Sequence, residues 1–318
     1  MFDLLVIGEI NPDLIIQGSD VVPAFGQAEK LVEEATLTIG SSSVIMACGA
    51  ARLGLKVAFI GLIGEDEFGR FMLRGMQQRG IDTSACVVDP TVQTGMSVIL
   101  SGTTDRAILT YPGAIPLLKR EQINGLSPRR SGSRILTQAR HLHVGGYFLL
   151  DNLRPDLPTL FAAAKQHDMS TSLDTNWDPR ERWDVAAMFP HCDLFLPNEE
   201  EVLHITQQAD FAAGLDDLAA QIPTLAVKMG AKGGMAKQGE TAVTSPPLKV
   251  NVIDTTGAGD SFDAGFIYGY LHSWTLQKSL HLATACGSLS TRAAGGTSAQ
   301  PALAEALTHL DPKGFDKK

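Results

Sequence analysis

Short apolar runs rich in β-branched residues alternate along this chain with stretches of helical periodicity, the rhythm of a parallel sheet covered on both faces. Leu4-Leu5-Val6-Ile7 runs into Gly8 and reads as a first buried strand. Val57-Ala58-Phe59-Ile60 reads as another, after a helix closing on Arg52-Leu53-Gly54, where glycine suits the C-cap. Residues 171–173, 194–196 and 225–228 continue the series. Helices are expected over 68–78, 157–167, 198–205 and 211–221, and the last third is helix-rich, over 260–271, 276–294 and 302–310. At 318 residues the chain can bury a large core without disulfides or metal staples, and one α/β unit can use that length.

Two segments break the rhythm. Residues 14–38 alternate apolar and polar side chains, as in Lys30-Leu31-Val32 and again over 35–39. Residues 96–100 and 107–111 flank Ser101-Gly102-Thr103-Thr104-Asp105, a turn-rich tip, and read as a hairpin. Antiparallel strands inserted into a parallel fold form either a small sheet over one end of it or an ordinary edge hairpin. There is no internal repeat, and the charged tail, 311–318, is expected to fray.

Charge narrows the partners. Twenty-six Lys and Arg against 35 Asp and Glu give a net charge of −9, which argues against a nucleic-acid backbone or an anionic membrane as main partner. No run of eighteen apolar residues exists; residues 44–63 come nearest and are broken by Arg52 and Lys56. Asp3 and Glu9 stand where a signal peptide needs a basic start. Cys48, Cys86, Cys192 and Cys286 lie too far apart for a metal or redox spacing and are expected reduced and buried. His141 and His143, alternating about Leu142, read as packing. The expectation is a cytoplasmic globular enzyme.

Chemistry concentrates in Asp254-Thr255-Thr256-Gly257-Ala258-Gly259-Asp260-Ser261-Phe262. This run follows the apolar residues 250–253, read as a strand, and precedes a helix with apolar positions at Phe262, Phe266, Ile267, Tyr270 and Leu271. Small residues at a helix N-terminus leave backbone N–H groups uncovered, and the helix dipole adds positive potential, so the turn suits phosphate oxygens. Asp260 beside that anion site would have the task of accepting a proton from an attacking hydroxyl. As an isolated Gly-x-Gly-Asp, the same residues would be an N-cap after a tight loop.

The nine-residue run resembles the signature of the ribokinase-like, or PfkB, carbohydrate kinases, Asp-Thr-x-Gly-Ala-Gly-Asp-x-Phe, and the resemblance extends from Val6-Ile7-Gly8 to Gly296-Thr297. It implies a three-layer α/β/α fold with a central, mainly parallel sheet and a small β-sheet lid. Residues 1–12, 39–93 and 113–318 would form the core, and 13–38 and 94–112 the lid. It further implies an ATP-dependent kinase using Mg2+, with a sugar-like acceptor and a homodimer formed through the lid. Gly257, Ala258 and Gly259 would form the anion hole and Asp260 would be the base. Asp254 and Thr256 resemble residues that help many members hold a monovalent cation such as K+.

Other segments carry the likeness further. Asn198-Glu199-Glu200-Glu201 matches an Asn-x-x-Glu motif, implying that Asn198 lies near the phosphates and that Glu201 orders the magnesium–water network. Taken alone, an acidic cluster opening a helix compensates the dipole. Lys228-Met229-Gly230-Ala231-Lys232-Gly233 resembles the nucleotide loop, with Lys228, Gly230, Lys232 and Gly233 on the ATP side. Without the likeness it is a turn. On the acceptor side, Asn11 and Asp13 occupy the place of the family's Asn-x-Asp pair, and a carboxylate can accept two hydrogen bonds from a diol. Beside Pro12, turn formation is the other role open to Asp13. Asp174-Thr175-Asn176-Trp177-Asp178-Pro179-Arg180 resembles a stretch ending a central strand of many sugar kinases, with Trp183 beyond it. That places Asp174 and Asn176 at the cleft, where α/β sheets collect ligands.

The chain also departs from the pattern. Where the family shows Gly-Gly-x-x-x-Asn, this sequence has Gly40-Ser41-Ser42-Ser43-Val44-Ile45. Ile45 cannot hydrogen-bond a hydroxyl, and Ser41, Ser42 and Ser43 offer replacements beside Gly40. Tyr147 either stacks on an apolar sugar face or packs. Phosphoryl transfer to a primary hydroxyl of a sugar or sugar acid is therefore expected, with a nucleoside acceptor or a non-catalytic sensor as alternatives. A dinucleotide oxidoreductase is disfavoured, because no Gly-x-Gly-x-x-Gly follows the first strand. Gly-x-x-x-x-Gly-Lys and Gly-x-Ser-x-Gly are absent too; Asp263 closes the nearest match, Gly259-Asp260-Ser261-Phe262-Asp263.

Overall fold

The structure, a computed structural model, describes residues 1–102, 105–124 and 138–310. The tail expected to fray, 311–318, lies outside the described residues, as do Thr103 and Thr104 of the hairpin tip. Strand β1 (Phe2–Ile7) sits between β4 (Val57–Ile60) and β9 (Ala139–Val144), both parallel to it. The sheet continues in parallel through β10 (Ser170–Leu173), β11 (Leu194–Phe195) and β12 (Thr224–Lys228). Two antiparallel strands, β13 (Gly234–Gln238) and β14 (Thr241–Ser245), complete the far edge of the eight-stranded sheet.

The strand side chains feed two apolar cores by period-two alternation. Leu4 and Val6 of β1 join one core while Leu5 and Ile7 join the other, and all four are fully buried. Helices α1 (Ser42–Arg52), α2 (Glu67–Gln78), α7 (Ala258–Leu271) and α8 (Leu276–Ser290) cover the first face. Helices α4 (Leu157–Gln166), α5 (Glu199–Thr206) and α6 (Phe211–Ala219) cover the second. Two further helices, α3 (Arg120–Asn124) and α9 (Leu303–Leu307), are short. The result is a three-layer α/β/α unit.

A separate four-stranded sheet has the order β3-β2-β7-β8. Strands β2 (Pro12–Gln17) and β7 (Met96–Ser101) are parallel, and β3 (Glu34–Ile39) and β8 (Arg106–Tyr111) pair antiparallel on either side. The hairpin is thus part of a sheet rather than a lone edge feature. Two further strands, β5 (Leu62–Gly64) and β6 (Val87–Asp89), pair beside the core.

Several expectations are corrected. Residues 250–253 form no strand: Pro246 and Pro247 end the pairing of β14, Val252 and Ile253 are each 57% exposed, and the Ile253 and Asp254 amides donate to the Thr291 carbonyl after α8. Lys30-Leu31-Val32 is not strand either, and Leu31 is 87% exposed. The helix expected over 276–294 stops at Ser290, and the one over 302–310 shrinks to Leu303–Leu307. His141 and His143 are buried and bonded to the Ser170 and Ser172 hydroxyls, and burial depresses them to about 3 and about 4. Tyr147 packs edge-on against Phe148, its hydroxyl donating to the Asp184 carbonyl at 3.3 Å. No helix among the described residues is long and apolar enough to cross a membrane.

Candidate active site

The carboxyl ends of the parallel strands converge on one rim, where ligands of open α/β sheets collect. Glu9 and Asn11 follow β1, Asp174 follows β10, Asn198 follows β11, and Lys228 closes β12. Over this rim stands the N-terminus of α7. Gly257 lies in the left-handed region at φ 73°, which lets the loop reverse into the helix. The Gly257 and Gly259 amides have no protein acceptor among the described residues. The Ala258 amide donates to the Thr255 carbonyl at 3.2 Å, so the expected three-residue anion hole reduces to the two glycine amides and the helix end.

Asp260 occupies the first turn of α7 and is partly exposed, with no hydrogen-bond partner for its carboxylate among the described residues. Burial raises its carboxyl well above the usual range; Asp174, Glu9 and Asp13 push it further, and Lys228 opposes them. A carboxylate so placed is available to take a proton.

Beneath the turn lies a buried ion cluster. The Lys228 ammonium stands 3.1 Å from both Asp174 Oδ2 and Asp263 Oδ2. Burial works against the ammonium, but Asp174, Asp263 and Glu201 outweigh it and raise Lys228 above its ordinary value. Burial would also raise Asp174, yet Lys228 and a hydrogen bond from Asp263 hold it below the usual range. Asp263 goes the other way: burial lifts it well above the usual range, and its Oδ1 has no partner among the described residues. Lys228, put on the ATP side by the family likeness, thus stands within an internal cluster of carboxylates. Asp263 was noticed only for excluding another motif; its helical spacing of three from Asp260 was the available signal.

On the other side of the rim, Asp13 is buried beside Gly40, where an added Cβ would run into its carboxylate. Burial and the nearby Glu9 raise Asp13 to about 7, against a smaller pull from Arg106. Asn11 Nδ2 approaches Asp13 Oδ1 at 3.4 Å and donates to Ser97 Oγ of β7 at 3.2 Å, joining core and small sheet. The three serine hydroxyls, expected to replace polar contacts to the acceptor, are engaged within the protein instead. Ser41 caps α1, accepting from the Val44 amide and donating to the Glu9 carbonyl. Ser42 donates to Glu9 Oε1 at 2.6 Å while accepting from Asn176, and Ser43 donates to Glu9 Oε2 at 2.5 Å. Glu9 thus anchors the N-terminus of α1, a role sequence reading missed. Ile45 packs against the turn at Gly257 and against Gly296.

Asn198 and Glu201 form a reciprocal cap on α5: the Glu201 amide donates to Asn198 Oδ1 at 2.9 Å, and Asn198 donates to both Glu201 oxygens. Burial raises Glu201 to about 7. Gly230 and Gly233 bracket the turn after β12 at φ 53° and 93°, and Lys232 at the surface pairs with Glu199 at 2.9 Å. A Glu201 carboxylate has lone pairs beyond those two bonds and fits hydrogen-bonding to water around Mg2+.

The acceptor atoms of Asp254 and Thr256 do not fit a monovalent cation in the same way. Asp254 Oδ1 accepts from the Thr256 amide at 2.8 Å and hydroxyl at 2.7 Å, and Oδ2 from the Gly295 amide at 2.8 Å. Arg106 Nη1 donates to Thr256 Oγ1 at 3.0 Å and stands 4.0 Å from Asp254 Oδ1. A second positive charge about 4 Å from that guanidinium would meet a repulsion of about 4 kcal/mol at an effective dielectric of ~20.

A family model described as pfkB family carbohydrate kinase matches residues 1–303. A 5-dehydro-2-deoxygluconokinase of Geobacillus kaustophilus is 30% identical over 292 residues, covering 85% of this chain and 84% of its own length. Among solved structures, an adenosine kinase from Sinorhizobium meliloti superposes with a TM-score of 0.83 at 21% identity, over 96% of this chain and 98% of its own. An Escherichia coli ribokinase-II candidate in complex with ATP and Mg2+ gives the same TM-score, 0.83, at 21% identity, over 97% and 99%. Both structural likenesses speak for the fold.

Proposed function

The chain belongs to the pfkB family of carbohydrate kinases, and on that premise we propose that it transfers the γ-phosphoryl group of ATP to a hydroxyl, preferentially primary, of a sugar or sugar acid. One observation carries the proposal: the unbonded Asp260 carboxylate stands beside the open Gly257 and Gly259 amides and within electrostatic range of Asp13 and Asp174. Asp13, held by Asn11 and given room by Gly40, takes hydroxyls of the acceptor. Asp260 removes the proton from the attacking hydroxyl as its oxygen bonds to the γ-phosphorus and the bridge to the β-phosphate breaks. The two amides and the helix end hold the negative charge of the migrating group.

Mg2+ supplies charge neutralisation on the phosphates when bound; Glu201 is the residue that would order its water shell, with Asn198 near the phosphates. Gly230, Lys232 and Gly233 lie on the nucleotide side. The small sheet acts as a lid over 13–38 and 94–112, excluding water from the transfer. Its links to the core, Asn11 to Ser97 and Arg106 to Thr256, support that reading.

The test is Asp260→Asn in the purified protein, with ADP release followed across hexoses, sugar acids and nucleosides. ATP binding should persist while transfer falls by at least about a hundredfold, the lower end of acid–base contributions. Full activity in the variant removes Asp260 from the mechanism, and best turnover with a nucleoside reassigns the acceptor.

A further inference from the structure

Arg106 opens β8 opposite Ser101, at the end of the small sheet away from Asp13, which lies level with Ser97. Its side chain leaves that sheet for the loop before α7. There Asp254 is the hub, binding Thr256 through its first oxygen and Gly295 through its second. Arg106 completes the arrangement from outside, on the Thr256 hydroxyl and alongside the Asp254 carboxylate. Thr256 directly precedes Gly257, so fixing its hydroxyl fixes the approach to the amide-bearing turn. Positive charge near the loop is otherwise taken up: Asp254 lies within electrostatic range of Asp13, and Lys228 is already enclosed by Asp174 and Asp263.

We propose that Arg106 takes the place of an activating monovalent cation, its guanidinium balancing Asp254 and holding the Thr256–Gly259 turn whenever the small sheet lies over the cleft. The inference rests on the kinase reading and deepens it. Arg106 is then a positioning residue, acting through Thr256 and Asp254. A guanidinium suits the task because it stays charged at any working pH and directs its donors in a fixed plane. Unlike a free ion, it arrives with the lid, so the turn is set for transfer only when water is shut out.

The experiment uses the full chain and the acceptor giving the fastest Asp260-dependent ADP release, assayed in potassium chloride and in tetramethylammonium chloride at equal ionic strength. Wild-type rates in the two salts should agree within about twofold, whereas Arg106→Ala in tetramethylammonium should lose about a hundredfold in kcat, as misplacement by ~1 Å does. Potassium or millimolar guanidinium should restore the variant about tenfold or more, and Arg106→Lys should keep most of the rate; the scale is again that of a small misplacement. A thermal midpoint that rises with potassium in Arg106→Ala but not in the wild type gives a readout independent of turnover. Potassium activation of the wild type, or an Arg106→Ala variant that keeps its rate or is rescued by neither cation, overturns the proposal. Absence of Asp260-dependent ADP release with every acceptor strikes the kinase reading itself, and the thermal measurement still judges Arg106.

Discussion

Asp13 shows how a single side chain is held against its own preference. Buried beside Gly40 and near Glu9, it titrates at about 7, far above an ordinary aspartate. In the folded protein it therefore keeps a proton that the unfolded chain gives up between roughly pH 4 and 7. Its contribution to stability is present at acid pH and is lost as pH rises through that window. Asp13→Asn should accordingly be more stable than the wild type at pH 8, by at most about 4 kcal/mol, and nearly equal at pH 4, read by urea denaturation at the two pH values. The same variant should bind the acceptor more weakly, seen as a raised KM. Asp260 obeys the same sign in catalysis: as a base with a raised pKa, it makes turnover fall as pH drops while still well above the usual carboxylate range.

Between elements, the joint of β12 with α7 holds a buried ion cluster. Lys228 at the strand end holds Asp174 and Asp263, and its stem lies 3.2 Å from where a Cβ on Gly259 would stand. Removing the ammonium leaves two buried carboxyls without compensation, so Lys228→Met should cost about 3–5 kcal/mol in chemical denaturation. Adding Asp263→Asn should return part of that loss, a coupling that a double-mutant cycle measures. The strands themselves were legible: β4 coincides with Val57-Ala58-Phe59-Ile60, because a run buried on both faces has no other way to be satisfied. The start of α5 was legible too, since Asn198 and Glu201 cap the helix locally. What could not be read was where strand-end side chains point. The direction of Lys228 depends on the register with β11 and β13, and the partners of Glu9 lie on α1, more than thirty residues on. Residues 250–253 misled because apolar composition without a neighbouring strand gives no ladder.

At the scale of the molecule, the small sheet ends in an exposed edge. Ile108 and Leu109 on β8 are 54% and 61% exposed, and Tyr111 is half-exposed. An apolar edge strand of this kind invites a partner. We expect two copies to pair through these sheets, with a dimer in sedimentation velocity that Ile108→Glu with Leu109→Lys converts to monomer while leaving the core folded. The opposite end of the chain closes the site. Gln300 donates to the Ile45 carbonyl and to Ser261 Oγ, Arg52 donates to the Gln300 carbonyl at 2.5 Å, and Ile45 is wedged against Gly257 and Gly296. Ile45 and Arg52 of α1, with Gly296 and Gln300, thus clasp the Gly257 turn between them. Ile45 and Gln300 stand 255 positions apart, so the shape of the turn depends on closure between distant segments rather than on its local sequence.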